Sequence, residues 1–290
     1  MTTTTERMLP LYEAKMIHQF DHRWATYEAT GVRDVTLAER QEADFMVIPR
    51  YWVPQLESDD RLDQRWERSW SFAWRGIARS TDVRTAMASF AGTTAAGGNY
   101  DFLFSKTSPL GFTYISAAIN SFVFDFVVRQ KLTGMHLQFS VMNQLPVPHT
   151  RSDTGVAWSQ SDTIWRWIAD RAIELVYTSR DLQALANDLG YGFEPFLWDD
   201  FRRKTLRAEI DAAMFHEYGV PREEVGYILD TFPIVIRKDE AEFGEFRTKR
   251  LILEAFDSMQ SAIDSGIPFE STLNPPPGQG PRHPAKDVPA

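Results

Sequence analysis

A chain of 290 residues with 43% hydrophobic and 24% charged residues has the composition of a globular protein with one large domain or two smaller ones. The absence of cysteine excludes disulfide bonds and thiolate metal sites. The net charge of −9 is opposite in sign to that of most nucleic-acid-binding proteins, so DNA binding would require a local concentration of basic residues. No apolar run has the length of a transmembrane helix, and the polar start lacks the apolar core of a signal peptide. We therefore expect a cytoplasmic protein with no membrane partner.

The N-terminal segment contains three side chains that are common metal ligands. His18, Asp21 and His22 have a spacing that could gather a metal ion on one helix face, as in a metal-dependent hydrolase. However, the mixing of polar and apolar residues around them is more typical of a strand that leads into a turn. The metal site is therefore the weaker of the two interpretations.

The next part of the chain predicts strands and a dense set of arginines. The apolar segments Phe45–Val53 and Trp70–Arg79 are rich in strand-forming residues and predict two strands. Arg75, Arg79 and Arg84 follow within and after the second strand and could form one face that contacts phosphates or guanine edges. Alternatively, they pair with nearby carboxylates such as Asp82 and Asp101, because acids are interleaved with the arginines.

A long apolar segment follows and predicts the main packing helix. Apolar residues recur with helical spacing over Tyr114–Lys131, which predicts one long helix. Alternating apolar residues from Leu137 to Val141 then predict a strand, and the following Leu-Pro-Val-Pro ends the unit. We expect a small twisted sheet, mostly antiparallel, with the long helix packed on it.

The C-terminal half predicts helices. Helical spacing and capping residues indicate helices within Ser161–Ser179, Asp199–Tyr218, Arg222–Asp230 and Thr248–Ile263. A β-rich linker is predicted at Phe232–Ile236, and the proline-rich residues 264–290 are predicted to be a disordered tail. The predicted fold class is thus mixed α/β of the α+β type, with a helical C-terminal region.

Several spaced segments resemble one family. Residues 10–23 (PLYEAKMIHQFDHR), 74–90 (WRGIARSTDVRTAMASF) and 206–250 (beginning LRAEIDAA and ending FRTKR) resemble, in this order, the C-terminal half of large type IIG and phage-defence (BREX- or DISARM-type) adenine-specific DNA methyltransferases. The unit at residues 114–148 is similar to the end of a target-recognition domain in such enzymes and in type I restriction specificity subunits. One departure is Gly76, where the family usually carries Asp.

The resemblance implies a division of the chain and a function. It implies a junction segment (1–29), a target-recognition domain (30–148) and a helical region (149–263) before the tail. The partners implied are duplex DNA and a catalytic methyltransferase domain or subunit. The DNA-contacting residues would be Arg75, Arg79 and Arg84, with Lys106 from the next loop.

The catalytic half of the family has no counterpart in this sequence. We find neither the glycine-rich turn that holds S-adenosylmethionine nor an Asn-Pro-Pro-aromatic motif. The cofactor is therefore expected in the catalytic partner and not in this chain. Two alternatives stay open, namely a scaffold subunit of a defence complex and a hydrolase that uses the His18, Asp21 and His22 cluster.

Overall fold

The N-terminal third of the chain folds into short strands. The computed structural model describes residues 6–62, 65–79, 81–160 and 162–286. The strands form three small sheets, with the orders β4-β1-β7, β2-β3 and β6-β5-β8, and all pairs except β1-β7 are antiparallel. The strands are β1 (Met8–Tyr12), β2 (Ala25–Glu28), β3 (Gly31–Asp34), β4 (Tyr51–Pro54), β5 (Ser71–Arg75), β6 (Ala88–Ala91), β7 (Ala95–Ala96) and β8 (Tyr100–Phe102).

Helices make up most of the remaining structure and confirm the predicted α+β class. Two of the predicted C-terminal helices are capped as their sequences indicate: the Asp199 side chain accepts a hydrogen bond at the start of α8, and the left-handed Gly266 ends α11. The helices are α1 (Leu37–Arg40), α2 (Gln55–Leu62), α3 (Pro109–Asn120), α4 (Phe122–Lys131), α5 (Phe139–Met142), α6 (Ile164–Val176), α7 (Gln183–Asp188), α8 (Asp200–Glu217), α9 (Arg222–Asp230), α10 (Pro233–Phe243) and α11 (Arg247–Ser265).

The predicted long helix over Tyr114–Lys131 is wrong, because the chain breaks at Ser121. Ser121 has an extended backbone (ψ 156°), and α3 and α4 meet there at a bend of 60°. The Ser121 side chain accepts a hydrogen bond from the Phe124 N–H, so it caps α4. Apolar spacing alone cannot show such a break, because both helices are apolar on their buried faces.

No single described helix is both long and apolar enough to cross a membrane. Within the described residues, the bent pair of α3 and α4 alone passes that test when taken together, and most residues of the pair are buried within the protein.

Two predicted extended segments are helical. Leu137 is buried and its N–H donates to the Gly76 carbonyl, but Phe139 begins the one-turn helix α5 and is 53% exposed. The predicted β-rich linker at Phe232–Ile236 lies mostly in α10, where Pro233 occupies the first turn. The strand predicted at Phe45–Val53 is shorter than expected, since β4 starts only at Tyr51.

The main hydrophobic core extends across the boundary expected near residue 148. It joins Phe72 and Phe112 to Trp167, Leu206 and Ile252, all of which are at most 4% exposed. Helix α3 packs on α6, and α8 packs on both α6 and α11. The predicted target-recognition domain (30–148) and helical region (149–263) therefore do not have two separate hydrophobic cores.

The predicted disorder of the tail is wrong for residues 266–286. Arg202 donates to the carbonyls of Pro275 and Pro276 at 2.7 and 3.1 Å, and Glu174 accepts the N–H groups of Gly278 and Gly280. The Arg282 guanidinium lies 3.8 Å from the centre of the Phe196 ring. A proline-rich segment needs few backbone partners, and here buried charged side chains supply them.

Deleting residues 275–290 should destabilise the protein. We expect the free energy of unfolding to fall by about 2–3 kcal/mol, since Glu174 and Arg202 lose charge-assisted hydrogen bonds. Urea denaturation measures the difference. Lys286→Ala is the control, because its ion pair with Asp44 is exposed and should contribute less than about 1 kcal/mol. An unchanged unfolding midpoint after the deletion would show that the tail contributes nothing.

Candidate functional site

The four predicted DNA-binding residues do not form one surface. Arg84 is only 3% exposed and pairs with Asp125 at 2.7 Å, so it cannot reach a duplex, and its assignment as a DNA contact is wrong. Arg75 is partly buried, and its guanidinium donates to the Met87 sulfur. Arg79 and Lys106 are both exposed, but they lie beyond opposite ends of β5 because β8 runs antiparallel to it.

Lys106 lies in an open basic groove of about 660 Å³. Arg65, Arg68 and Lys106 line this groove together with Trp66, and Glu67 and Asp188 are the acids along it. Arg68 pairs with Asp188 at 3.2 Å, whereas Arg65 is exposed. The sequence interpretation included Lys106 but not Arg65 or Arg68, because they lie in an acidic stretch.

His18, Asp21 and His22 do not come together as a ligand set. The His18 ring packs on Trp24, with ring centres 4.3 Å apart, whereas the His22 Nε2 lies 2.9 Å from the Asp181 carboxylate. Over residues 6–62, 65–79, 81–160 and 162–286, the structure contains no cluster of three potential metal ligands. The geometry thus gives no support to the hydrolase interpretation.

The segment around His18 instead supplies one end of a buried polar network. Its backbone turns sharply at Phe20, a buried residue with a φ of +57°, which is uncommon for a residue with a side chain. This turn places Gln19, 1% exposed, where its amide NH₂ donates to the carbonyls of Ala86 and Asn120. The Gln19 carbonyl oxygen accepts from both Arg84 (3.2 Å) and Arg207 (2.5 Å).

Asp125 is the anionic centre of the same network. It is fully buried and accepts hydrogen bonds from the Arg84 and Arg129 guanidinium groups and from the Thr85 N–H. The Arg84 guanidinium also lies 3.9 Å from the centre of the Phe122 ring. A buried charge is tolerated only when it is paired and hydrogen-bonded in this way.

Next to this network lies a pocket of about 200 Å³, which we call the motif pocket. Every segment that carries the family resemblance contributes to its lining. The residues are His18, Val83, Arg84, Phe122, Lys204, Arg207, Ala208, Asp211, Val235, Asp239, Phe243, Arg247, Thr248, Leu251 and Ile252.

The motif pocket combines four cationic side chains with two carboxylates. Both carboxylates hydrogen-bond to backbone amides: Asp211 accepts the Phe122 N–H at 2.8 Å, and Asp239 accepts the Thr248 N–H at 2.5 Å. Among the described residues, neither carboxylate lies within 4.0 Å of a pocket cation. Thus both acids hold the pocket walls together through backbone amides, and Asp211 acts on Arg207 only from beyond ion-pair distance.

Burial shifts the protonation equilibria in the pocket. Burial, reinforced by the neighbouring Arg84, lowers the pKa of Arg207 to about 10. Burial and then the nearby Arg207 hold the pKa of His18 well below its usual range, so this imidazole is neutral. Burial raises the pKa of Asp211 to about 6, against the opposing effect of Arg84.

Sequence reasoning missed Arg207 and Arg247 as site residues. Both lie in segments predicted to be helices, and helical spacing identifies apolar faces rather than a cation that faces a pocket. The available signal was the resemblance itself, since both residues fall within its longest matching segment, 206–250.

Comparisons with known proteins identify no relative of this chain. Family models, curated proteins and solved structures were all searched, and none matches this chain significantly. The family therefore stays a prediction from the resembling motifs.

Replacing Asp125 should be strongly destabilising. Asp125→Ala leaves the buried Arg84 and the partly buried Arg129 without their carboxylate, and we expect a loss of about 3–5 kcal/mol in the free energy of unfolding. Urea denaturation tests this. Asp153→Ala is the matched control, because Asp153 pairs with Arg151 on the surface and should contribute less than about 1 kcal/mol. Equal effects of the two substitutions would contradict the role of Asp125.

The raised pKa of Asp211 predicts a pH-dependent stability. Because the folded protein binds this proton more tightly than the unfolded chain does, stability falls as the pH rises from about 4 to 6 and stays lower above that range. Asp211→Asn keeps an acceptor for the Phe122 N–H and removes the charge. It should stabilise the protein by up to about 3 kcal/mol near neutral pH and much less near pH 4.

Urea denaturation of both proteins across this pH range measures the effect, and Asp153→Asn, at an exposed carboxylate, is the control. A difference between wild type and Asp211→Asn that does not vary with pH would refute the assignment.

Proposed function

We propose that this chain is the DNA target-recognition part of an adenine-specific DNA methyltransferase system and that it acts with a catalytic domain or subunit in the cytoplasm. The partner would bind S-adenosylmethionine and transfer the methyl group. This chain would position the partner on duplex DNA. This protein would therefore be a component of a restriction-modification or phage-defence system.

The observation that carries the proposal is the convergence of the resembling motifs. His18, Arg84, Arg207 and Arg247 come from segments far apart in the sequence, yet they line one pocket. Their convergence supports the view that the segments form one working unit, as the resemblance implies.

The surface best suited to duplex DNA is the basic groove at Lys106. Arg65 and Lys106 are exposed, and arginine and lysine side chains contact phosphate oxygens without sequence preference. The partly buried Trp66 ring lies beside Arg68 and lines the same groove. Such a local basic surface answers the objection raised by the net charge of −9.

A segment with several exposed apolar side chains, residues 46–56, is a candidate contact for the catalytic partner. Met46, Ile48, Tyr51, Trp52 and Leu56 are each at least 50% exposed. Exposed apolar patches often mark protein interaction sites. The same observation also favours the second candidate function, a scaffold subunit of a defence complex that does not itself contact DNA.

Duplex binding and its salt dependence distinguish the two functions. We expect the wild type to bind a pool of random-sequence duplexes, with an affinity that falls steeply between about 50 and 200 mM salt. An Arg65→Ala, Lys106→Ala double variant should reduce the slope of log affinity against log salt by about two, since each phosphate contact contributes about one. Fluorescence anisotropy with labelled duplexes measures both quantities.

Arg79→Ala is the control from the other end of β5 and should change the slope by less than the double variant does. If the wild type binds no duplex even at low salt, alone or with its catalytic partner, DNA recognition is wrong and the scaffold function is favoured. If the double variant binds as the wild type does, the basic groove is the wrong surface.

A further inference from the structure

Two of the four cations that line the motif pocket make no ion pair with a carboxylate of the described residues. Arg84 pairs with Asp125, and Lys204 pairs with Glu242 at 2.8 Å. Neither Arg207 nor Arg247 has a carboxylate within 4.0 Å in the part of the chain that the structure describes. Two guanidinium groups therefore face the pocket without an anionic partner.

Arg207 and Arg247 are also held in place before any ligand arrives. The Arg207 guanidinium donates to the Gln19 carbonyl oxygen, and the Arg247 guanidinium lies 4.6 Å from the centre of the Phe243 ring. The Arg247 Nε is buried and has no hydrogen-bond partner among the described residues. Both side chains are partly buried, and cations that are partly desolvated without an ion-pair partner would bind an anion favourably.

The remaining pocket wall is apolar and suits an organic group. Val235, Leu251 and Ile252 line the pocket together with the cations. The pocket volume of about 200 Å³ is more than one small anion fills, so an organic group can share the pocket with the anion. The neutral His18 imidazole adds a hydrogen-bonding group that carries no charge of its own.

We propose that the motif pocket binds a phosphate monoester of mononucleotide size, with its phosphate on Arg207 and Arg247 and its organic group against Val235, Leu251 and Ile252. Phosphate is favoured over carboxylate because it carries nearly two charges near neutral pH and has three oxygens that two guanidinium forks can share. This site is separate from the basic groove at Lys106, so the proposal does not depend on duplex recognition.

Isothermal titration calorimetry of the full chain at about pH 7.5 tests the proposal, since phosphate monoesters are mostly dianions at that pH. The probes are deoxyadenosine monophosphate, deoxyadenosine and inorganic phosphate. We expect the monophosphate to bind at least about tenfold more tightly than either of the others, because only it combines the charge-assisted hydrogen bonds with apolar contact.

Arg247→Gln and Arg250→Gln form a matched pair of variants on the same helix. Arg247 lines the pocket and makes no ion pair with a described residue, whereas Arg250 is exposed, pairs with Glu245 and Glu254 and does not line the pocket. We expect Arg247→Gln to weaken binding of the monophosphate at least about tenfold and Arg250→Gln to leave it nearly unchanged. Thermal denaturation of each variant checks that the fold is intact.

The ligand could be a small free nucleotide or the phosphorylated end of a nucleic acid. Titration with a 5′-phosphorylated dinucleotide, and with the same dinucleotide lacking that phosphate, distinguishes these two sources. Binding of the free monophosphate assigns a small nucleotide, and binding only of the phosphorylated dinucleotide assigns a nucleic-acid end. Either result upholds the proposal. It is overturned if no phosphorylated probe binds more tightly than about 1 mM, if loss of the phosphate does not weaken binding, or if the two variants behave alike. A failure to bind duplex DNA would leave this proposal standing.

Discussion

The buried ion pair between Arg84 and Asp125 is the constraint on which the surrounding structure depends. A charged pair in the interior is stable only when the remaining donors and acceptors are satisfied as well. Asp125 meets this requirement through the Thr85 N–H, and Arg84 meets it through Gln19 and the Asn120 carbonyl. The break between α3 and α4 belongs to the same arrangement, since the Asn120 carbonyl that accepts from Arg84 lies directly before Ser121.

The same constraint explains why counting arginines along the sequence misleads. Arg23, Arg84, Arg171, Arg202 and Arg203 are all at most 8% exposed, although arginine is usually a surface residue. Their long side chains reach backbone carbonyls and carboxylates of distant elements, as Arg23 does with Thr178 and Arg203 with Leu175. These contacts tie the N-terminal segment and the C-terminal helices into one structure. An interleaved run of acids and bases in the sequence cannot show which members are inside.

The sequence predicts the fold best where local signals suffice. Helices α8 and α11 follow from apolar spacing, α8 also from the acids at its start and from Gly219 after its end, and β5 follows from a short run of strand-forming residues. The errors occur where tertiary contacts decide the outcome. Ser121 begins a new helix within an apolar run, and Glu174 and Arg202 hold a proline-rich tail that composition alone marks as disordered. The two tail contacts join residues 73 and 104 positions apart, and no local pattern encodes them.

At the candidate site, too, the sequence indicates segments, whereas tertiary contacts set the direction of each side chain. The resembling segments all contribute to the lining of the motif pocket, but side-chain direction decides which residues within them line it. In residues 74–90, Arg79 faces solvent while Arg84 faces the core, only five positions later. In the C-terminal motifs, Asp211 and Asp239 accept hydrogen bonds from backbone amides, and neither makes an ion pair with Arg207 or Arg247. A protein with a net charge of −9 can thus leave two guanidinium groups in one pocket without ion pairs, because the direction of two carboxylates matters more there than the total charge.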